Sequence, residues 1–450
     1  MLRIGVVGDR QRLATSGHLI RAISRESLLT RGDLQTVDFT VMQNVSRPPH
    51  VIHIINTPMM LGFFTGQVAF FRAHGFVWEV ASSPGAGLME FGMREGIAVH
   101  AVSMTRTITP LRDLVTLYRL WRLFRRLRPT VVDAHTPKGG LLGMTAAWLA
   151  RVPVRVYHVH GLPVLTASWV RRVLLRWSDR VAGQVSHRVI CVSHSIHQAA
   201  LDERLFPAEK TRVLAGGTIN GVDSAVRFNP AIVGVEAGLG VRAALGIPAQ
   251  ARVLGFIGRV VCFKGVVELA GAWRDLRERY PDMHLLIVGP FESKDPIPEK
   301  IKEELADDPR VHLVMGWVDD TRPYYAALDV LALPSHREGF PYALLEAASM
   351  QLPVVATTVP GCVDAVVDGV TGALVRPFDA RALADAVAAY MDDPGLRREH
   401  GRAGRERVAR DFGQQAVWEA LLAEYRELLD ARLEAAHRPV ARAESPESRR

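Results

Sequence analysis

The chain has 450 residues, 48% hydrophobic and 7% aromatic, a length and composition suited to two α/β domains. Its three cysteines, Cys191, Cys262 and Cys362, stand far apart in apolar stretches, which excludes a disulfide framework or a Cys/His zinc pattern and fits a reducing cytoplasm. The formal net charge is +8, and no Asp-x-Asp marks a metal-held diphosphate, so no metal and no cofactor is expected.

Residues 1–47 open with Met1-Leu-Arg-Ile-Gly5-Val-Val-Gly8-Asp, which reads as a strand and a Gly turn. Two glycines alone are a weak dinucleotide signal, and two readings stand: an accessory strand-helix unit, or an over-extended gene start with Met42 as the initiator. From Pro48 to Phe71 there is no charged Asp, Glu, Lys or Arg, but His53, Asn56, Pro58, Gly62 and Gln67 interrupt any membrane-spanning helix. The segment reads instead as a strand at 51–55, a turn and a helix. Further strands are expected near 77–81, 130–134, 154–159 and 188–192. A second series lies near 252–257, 284–288, 311–315, 329–333 and 353–356. Helical patterns between most of them predict parallel sheets.

Charge is uneven along the first half. Residues 101–200 hold 15 Lys plus Arg and three acidic residues, a net of +12 against +8 for the whole chain. Much of it lies in Leu117–Arg128 and Trp169–Trp177, two helical segments that mix Arg with Trp, Phe and Leu. Such helices suit an anionic membrane face; the competing reading has their apolar stripe on the sheet and their Arg face solvated. No nucleic-acid motif accompanies the charge. Strand ends at His135-Thr-Pro-Lys138-Gly139-Gly and at His158-Val-His160-Gly161 are expected to open onto a cleft, with His160 facing it and His158 in the core. Ser195-Ile-His-Gln198 reads as a capping box.

In the second half an apolar strand runs into Gly258-Arg259 and then Lys264-Gly265. Cations at the carboxyl end of a parallel strand sit where open α/β sheets bind ligands. An Arg fork and a Lys point charge suit two adjacent phosphates. Only six of the 55 basic residues are lysines, so Lys264 is an unusual choice. Downstream, Glu338-Gly339-Phe340-Pro341 forms a turn after a buried strand and leads into a helix, with Pro341 expected at its first position and Glu346 inside it. Such a turn aims backbone N–H groups at an anion. Two carboxylates eight positions apart then reach two hydroxyl clusters, and an anion flanked by polyols describes a nucleotide diphosphate sugar.

This stretch resembles the Glu-x(7)-Glu signature of the retaining family 4 glycosyltransferases, and the likeness covers about Val51 to Leu428. The resemblance implies the GT-B fold, an α/β architecture of two Rossmann-like domains facing across a cleft. It implies that Arg259 and Lys264 clamp a diphosphate, Glu338 contacts the donor sugar, Glu346 holds the ribose and His135 lies near the reacting centre. His135, Glu338, Arg259 and Lys264 are thus expected to be catalytic. Gly258, Met315, Gly316, Gly339, Phe340, Pro341 and Glu346 are expected around the donor, and Lys138, Gly139, His160 and Gly161 on the acceptor side. Domains are expected at 48–223 (acceptor) and 251–408 (nucleotide sugar), joined through 224–250. A helix at 409–431 crosses back, and a disordered tail follows at 432–450.

Within the family, His135-Thr-Pro-Lys, Val159-His-Gly-Leu-Pro163, Asn220-Gly-Val-Asp223 and Pro360-Gly-Cys-Val-Asp364 look most like bacterial enzymes that extend polyprenyl-diphosphate-linked glycans, such as the bacillosaminyl-diphospho-undecaprenol N-acetylgalactosaminyltransferase type. The expected co-substrates are a UDP sugar and a lipid-linked glycan, at the inner face of the cell membrane, with no nucleic acid. A 2-epimerase of the same fold and a non-catalytic nucleotide-sugar-binding subunit are the alternatives. Two departures from the family are Thr57-Pro-Met-Met-Leu-Gly62 in place of a Gly-Gly loop, and Tyr342 where Asn or Gly is common.

Overall fold

The computed structural model describes residues 47–437 other than 106 and 108. Expectations for the first 46 residues and for 438–450 lie outside the described residues.

Among the described residues, two fully parallel sheets carry the fold. The first holds β1 (His50–Ile55), β2 (Val77–Ser82), β3 (Val99–Ala101), β4 (Val131–His135), β5 (Val154–Val159), β6 (Arg188–Cys191) and β7 (Thr211–Arg212), in the order 3-2-1-4-5-6-7. The second holds β8 (Arg252–Ile257), β9 (Met283–Gly289), β10 (Val311–Met315), β11 (Val330–Leu333), β12 (Val354–Thr357) and β13 (Gly372–Val375), in the order 10-9-8-11-12-13. Central strands such as Val253-Leu-Gly-Phe-Ile257 are buried along their length, because helices cover both faces of a parallel sheet. β3, β7 and β13 were not expected from the sequence. They are short edge strands of 3, 2 and 4 residues, too brief for an apolar run to stand out.

The stretch 224–250 is more than a connection. Helices Pro230–Val233 and Val235–Ala244 occupy it, and Gly238 packs so tightly on the second domain that a Cβ there would lie 2.2 Å from the Ala326 carbonyl oxygen. The last helix runs from Gln414 to His437, so the expected tail at 432 is still helical for six residues. This helix docks on the first domain. Tyr425 donates to Asp133 and Arg188 pairs with Glu424, each pair buried, while Trp418 Nε1 donates to Asn220 Oδ1 at 2.6 Å. Apolar Leu421, Leu422 and Tyr425 fill the same contact.

The charge-free segment becomes β1, a 3-10 turn at Pro58–Phe64 and a helix at Gln67–Ala73. Among the described residues no helix is long and apolar enough to cross a membrane. The helix Pro110–Leu127 buries Leu120, Leu123 and Phe124 against the sheet, yet leaves Leu111, Leu114, Val115 and Tyr118 exposed. The helix Trp169–Val185 exposes Trp169, Val170, Val173, Leu174 and Trp177, and buries only small or polar residues, Asp179, Ala182 and Gly183. The solvated-Arg reading therefore fails for the start of this second helix, where apolar and basic side chains share one exposed surface.

Candidate active site

The carboxyl ends of both sheets face one another across a cleft of about 1080 Å³. Where a parallel strand stops, its loop and the following helix N-terminus converge, which is why the ends of β1, β4, β5, β8, β9 and β11 supply the lining. The two halves touch at the cleft floor. A Cβ on Gly339 would lie 1.8 Å from the His160 carbonyl oxygen, so only glycine fits there. Ser193 Oγ donates to the Gly339 carbonyl at 3.0 Å and caps its own helix by accepting from Ile196 N. Ser195, expected in a capping box, instead bridges the halves through Asp364 and the Gly361 amide.

On the second domain, Gly258, Arg259 and Lys264 all line the cleft. Arg259 Nη1 bonds Glu292 Oε2 at 3.2 Å, and its guanidinium lies 5.1 Å from the Phe263 ring centroid. Lys264 Nζ pairs with Glu338, whose Oε1 also accepts from Ser335 Oγ at 2.6 Å. Thus one cation and one carboxylate, from different strand ends, are joined at a single point. The helix carrying Glu346 starts at Tyr342 with Pro341 as its N-cap in an extended conformation, one residue later than expected. Gly339, Phe340, Pro341 and Glu346 line the cleft. Glu346 Oε2 accepts from the buried Tyr325 Oη at 2.8 Å. Burial pushes its carboxyl up to about 7, opposed by the Tyr325 bond and by Arg227.

Several expected positions are corrected. His135 is fully buried and outside the cleft lining, because it is still paired within the sheet, opposite His158. His160, one residue beyond β5, is partly exposed and lines the cleft, with His135 Nδ1 behind its Nε2 at 3.0 Å. Gly139 is buried, its amide held by Thr136 Oγ1, and Gly161 is pressed against Gly339, so neither lines the cleft. Lys138 does, and its ammonium is held by Asp113 Oδ1 at 2.6 Å and Thr105 Oγ1 at 2.6 Å. At the end of β10, Gly316 lines the cleft while Met315 does not; Trp317, 66% exposed, takes its place. Tyr342 turns its hydroxyl to the Ile219 and Asn220 amides at 3.3 and 2.9 Å and stacks on Phe63 at 4.9 Å. It thereby joins the Ile219–Asn220 backbone to the loop after β1.

Trp317, Tyr325, Arg227 and Ser335 escaped the sequence reading. Trp317 and Ser335 carried a signal, since each lies two residues beyond a strand end. Tyr325 and Arg227 reach the site only through packing of distant segments. His53, Asp133 and His135 bring potential ligand atoms within 4.8 Å of one another, all buried. His53 Nδ1 and His135 Nε2 lie 2.9 Å apart, so they hydrogen-bond to each other and one of them carries a proton in place of a free lone pair.

Residues 68–223 match the family model described as Glycosyltransferase Family 4, and residues 251–393 match that described as Glycosyl transferases group 1. The chain is 29% identical over 379 residues to the capsular polysaccharide biosynthesis glycosyltransferase CapM of Staphylococcus aureus, covering 84% of this chain and 97% of that protein. It is 29% identical to a UDP-Gal:alpha-D-GlcNAc-diphosphoundecaprenol alpha-1,3-galactosyltransferase of Escherichia coli, covering 66% and 76%. It is 30% identical to the alpha-maltose-1-phosphate synthase of Mycolicibacterium smegmatis, covering 66% and 79%. The crystal structure of Anabaena HepE in complex with UDP-glucose superposes with a TM-score of 0.69 at 21% identity, over 85% of this chain and 99% of that one. A Rickettsia africae glycosyltransferase superposes at 0.70 and 19% identity, over 85% and 99%. With two parallel Rossmann-like domains closing on one cleft, the chain belongs to the family 4 glycosyltransferases of GT-B fold.

Proposed function

We propose that this glycosyltransferase moves a sugar from a UDP-linked donor, with retention, to a hydroxyl of a polyprenyl-diphosphate-linked glycan during cell-surface polysaccharide assembly. The observation that carries the reading is the meeting of Lys264 and Glu338 in the cleft beside Arg259. A cation for phosphate and a carboxylate for sugar hydroxyls are what the two halves of a nucleotide sugar require. The relatives named for undecaprenol-linked and capsular glycans favour the lipid-linked acceptor.

In this mechanism the anomeric carbon–phosphate oxygen bond breaks as the acceptor oxygen bonds on the same face. The leaving diphosphate oxygen takes the acceptor proton, and no protein nucleophile enters. Arg259, Lys264 and the turn at Gly339–Pro341 stabilise charge growing on the diphosphate, where preorganised donors contribute most. They do so without a resident metal or cofactor. Glu338 orients the sugar, and Glu346 with Tyr325 holds the ribose. Arg171, Leu174 and Trp177 bring the exposed apolar and basic helix to the cleft mouth. This suits a polyprenyl chain arriving from the cytoplasmic face of a membrane.

The test is incubation with a panel of nucleotide sugars, with and without a polyprenyl-diphosphate acceptor. Transfer only with the lipid acceptor supports the proposal. Conversion of the donor without acceptor identifies an epimerase, and binding without turnover a non-catalytic subunit.

A further inference from the structure

Four histidines and one aspartate form a continuous chain from the cleft into the first domain. His160 Nε2 lies 3.0 Å from His135 Nδ1, and His135 Nε2 lies 2.9 Å from His53 Nδ1. That same His135 Nε2 is 3.5 Å from Asp133 Oδ1. Asp133 Oδ1 accepts from His158 Nδ1 at 2.7 Å, and its Oδ2 accepts from Tyr425 of the last helix. Trp78 stacks on His53 at 4.4 Å, Phe64 packs edge-on to His53 and His135, and His158 stacks on His135 at 4.9 Å. Everything in the chain but His160 is buried, so its protons have few alternative partners.

A chain of neutral imidazoles can carry its protons in either of two directions. Desolvation favours the neutral rings: it holds His53 down to about 4 and His160 to about 3, and His135 is also lowered. Asp133 stays ionised because, against its burial, His158 holds its carboxyl below the usual range. In one direction His53 donates to His135, and the His135 Nε2 lone pair faces a buried carboxylate. In the other, His135 carries the proton on Nε2 and directs it between His53 Nδ1 and Asp133. That second choice leaves the His53 proton on its buried Nε2, which has no hydrogen-bond partner among the described residues, but it spares a lone pair from facing a buried carboxylate, the larger cost in a low local dielectric. His135 Nδ1 must then accept, so His160 donates from Nε2 and keeps its lone pair on Nδ1.

We infer that Asp133, acting through His135, fixes the tautomer of His160 so that its Nδ1 is a hydrogen-bond acceptor in the cleft for a hydroxyl of the sugar or acceptor. Asp133 and His135 are positioning residues, and His160 is the group that meets substrate. The function of this acceptor rests on the glycosyl-transfer reading, but the tautomer itself does not. Tyr425 adds a further consequence: the helix that crosses from the second domain holds the carboxylate that orients the proton chain of the first.

Two measurements test it. In protein labelled with 15N-histidine, with His160 assigned by its loss in His160→Gln, long-range proton–nitrogen correlations report which nitrogen is protonated. Protonated Nε2 and bare Nδ1 are expected; protonated Nδ1 would overturn the inference whatever the substrate proves to be. In the transfer assay, Asp133→Asn removes the directing charge and is expected to lower kcat by about 100-fold, the lower end of the range for displaced acid–base groups. Its UDP-sugar affinity is expected to remain, because the nucleotide side belongs to the other domain. In a His160→Ala background the same substitution should add less than about 2-fold, since residues acting as one unit are not additive. Additive losses would make Asp133 merely structural and refute the role. If Asp133→Asn fails to fold, the spectrum of the unsubstituted protein still decides the tautomer. A correct tautomer with no transfer on any substrate would count against the transfer reading and leave the proton chain standing.

Discussion

At the scale of single residues, the two cleft carboxylates stand in different surroundings. Glu338 meets Lys264 and Ser335, and in the proposed mode it stands where sugar and phosphate adjoin. Glu346 is paired with Tyr325, and burial raises it to about 7 from 4.5. Interactions gained only in the transition state appear in kcat, and uniform binding appears in KM. Glu338→Gln is therefore expected to lower kcat by about 10- to 1,000-fold with little change in nucleotide affinity. Glu346→Gln is expected chiefly to raise the donor KM. The reverse pattern in steady-state kinetics would exchange the two roles.

The Glu346 shift also sets a pH dependence. Its folded value lies above the unfolded one, so its contribution to stability is full below about 4.5 and is lost as pH rises through about 7. In the proposed binding mode a ribose diol donates to the ionised carboxylate, so binding would release a proton. Affinity for a UDP sugar should rise with pH through about 7 and level off above it, and Glu346→Gln should flatten the profile. Calorimetry across that range measures both.

At the scale of elements, the cleft floor depends on one backbone contact. Gly339 begins the turn before the Glu346 helix, and its Cα side abuts the His160 carbonyl. Gly339→Ala must separate the halves, and overpacking of this kind costs roughly 1–3 kcal/mol. A displacement of about 1 Å between reacting groups lowers turnover by about 100-fold. That loss in kcat is expected with the protein still folded and nucleotide still bound, which distinguishes a misaligned cleft from a lost donor site.

The two basic helices make a second claim at this scale. Arg122, Arg125 and Arg126 are exposed on the first, and the second presents Trp169 and Trp177 beside Arg171. Each cation near an anionic surface contributes about 1 kcal/mol. Replacing the three arginines with Glu is expected to release the protein from anionic vesicles. Sedimentation that is absent or insensitive to salt in the parent would remove membrane docking from the proposal.

At the scale of the whole molecule, the last helix ties the domains together. Arg188 on β6 is buried with Glu424, while its second partner, Glu427, is exposed. Removing one member of a buried pair leaves an uncompensated charge and costs about 3–5 kcal/mol. Glu424→Ala is expected to lower the unfolding midpoint strongly, whereas Glu427→Ala should stay within roughly 0.5 kcal/mol of the parent. Equal effects in thermal unfolding would contradict the docking described for this helix.

The sequence by itself determined the two Rossmann-like halves, because buried parallel strands are continuous apolar runs with helical patterns between them. It also brought Arg259, Lys264, Glu338 and Glu346 to the cleft, since each lies between a strand end and the first two turns of the next helix, and those ends converge in any open α/β sheet. Depth was decided by tertiary structure. His135 and His160 both look like strand-end histidines, yet β4 carries His135 within the sheet while β5 stops before His160. A shift of one residue in where pairing stops separates a buried relay from a cleft wall. Tyr325, Arg227 and the bond from Tyr425 to Asp133 depend on segments far apart in the chain, the last separated by 292 residues. No local pattern encodes such a meeting, because packing of whole elements, rather than the propensity of any one of them, brings the atoms together.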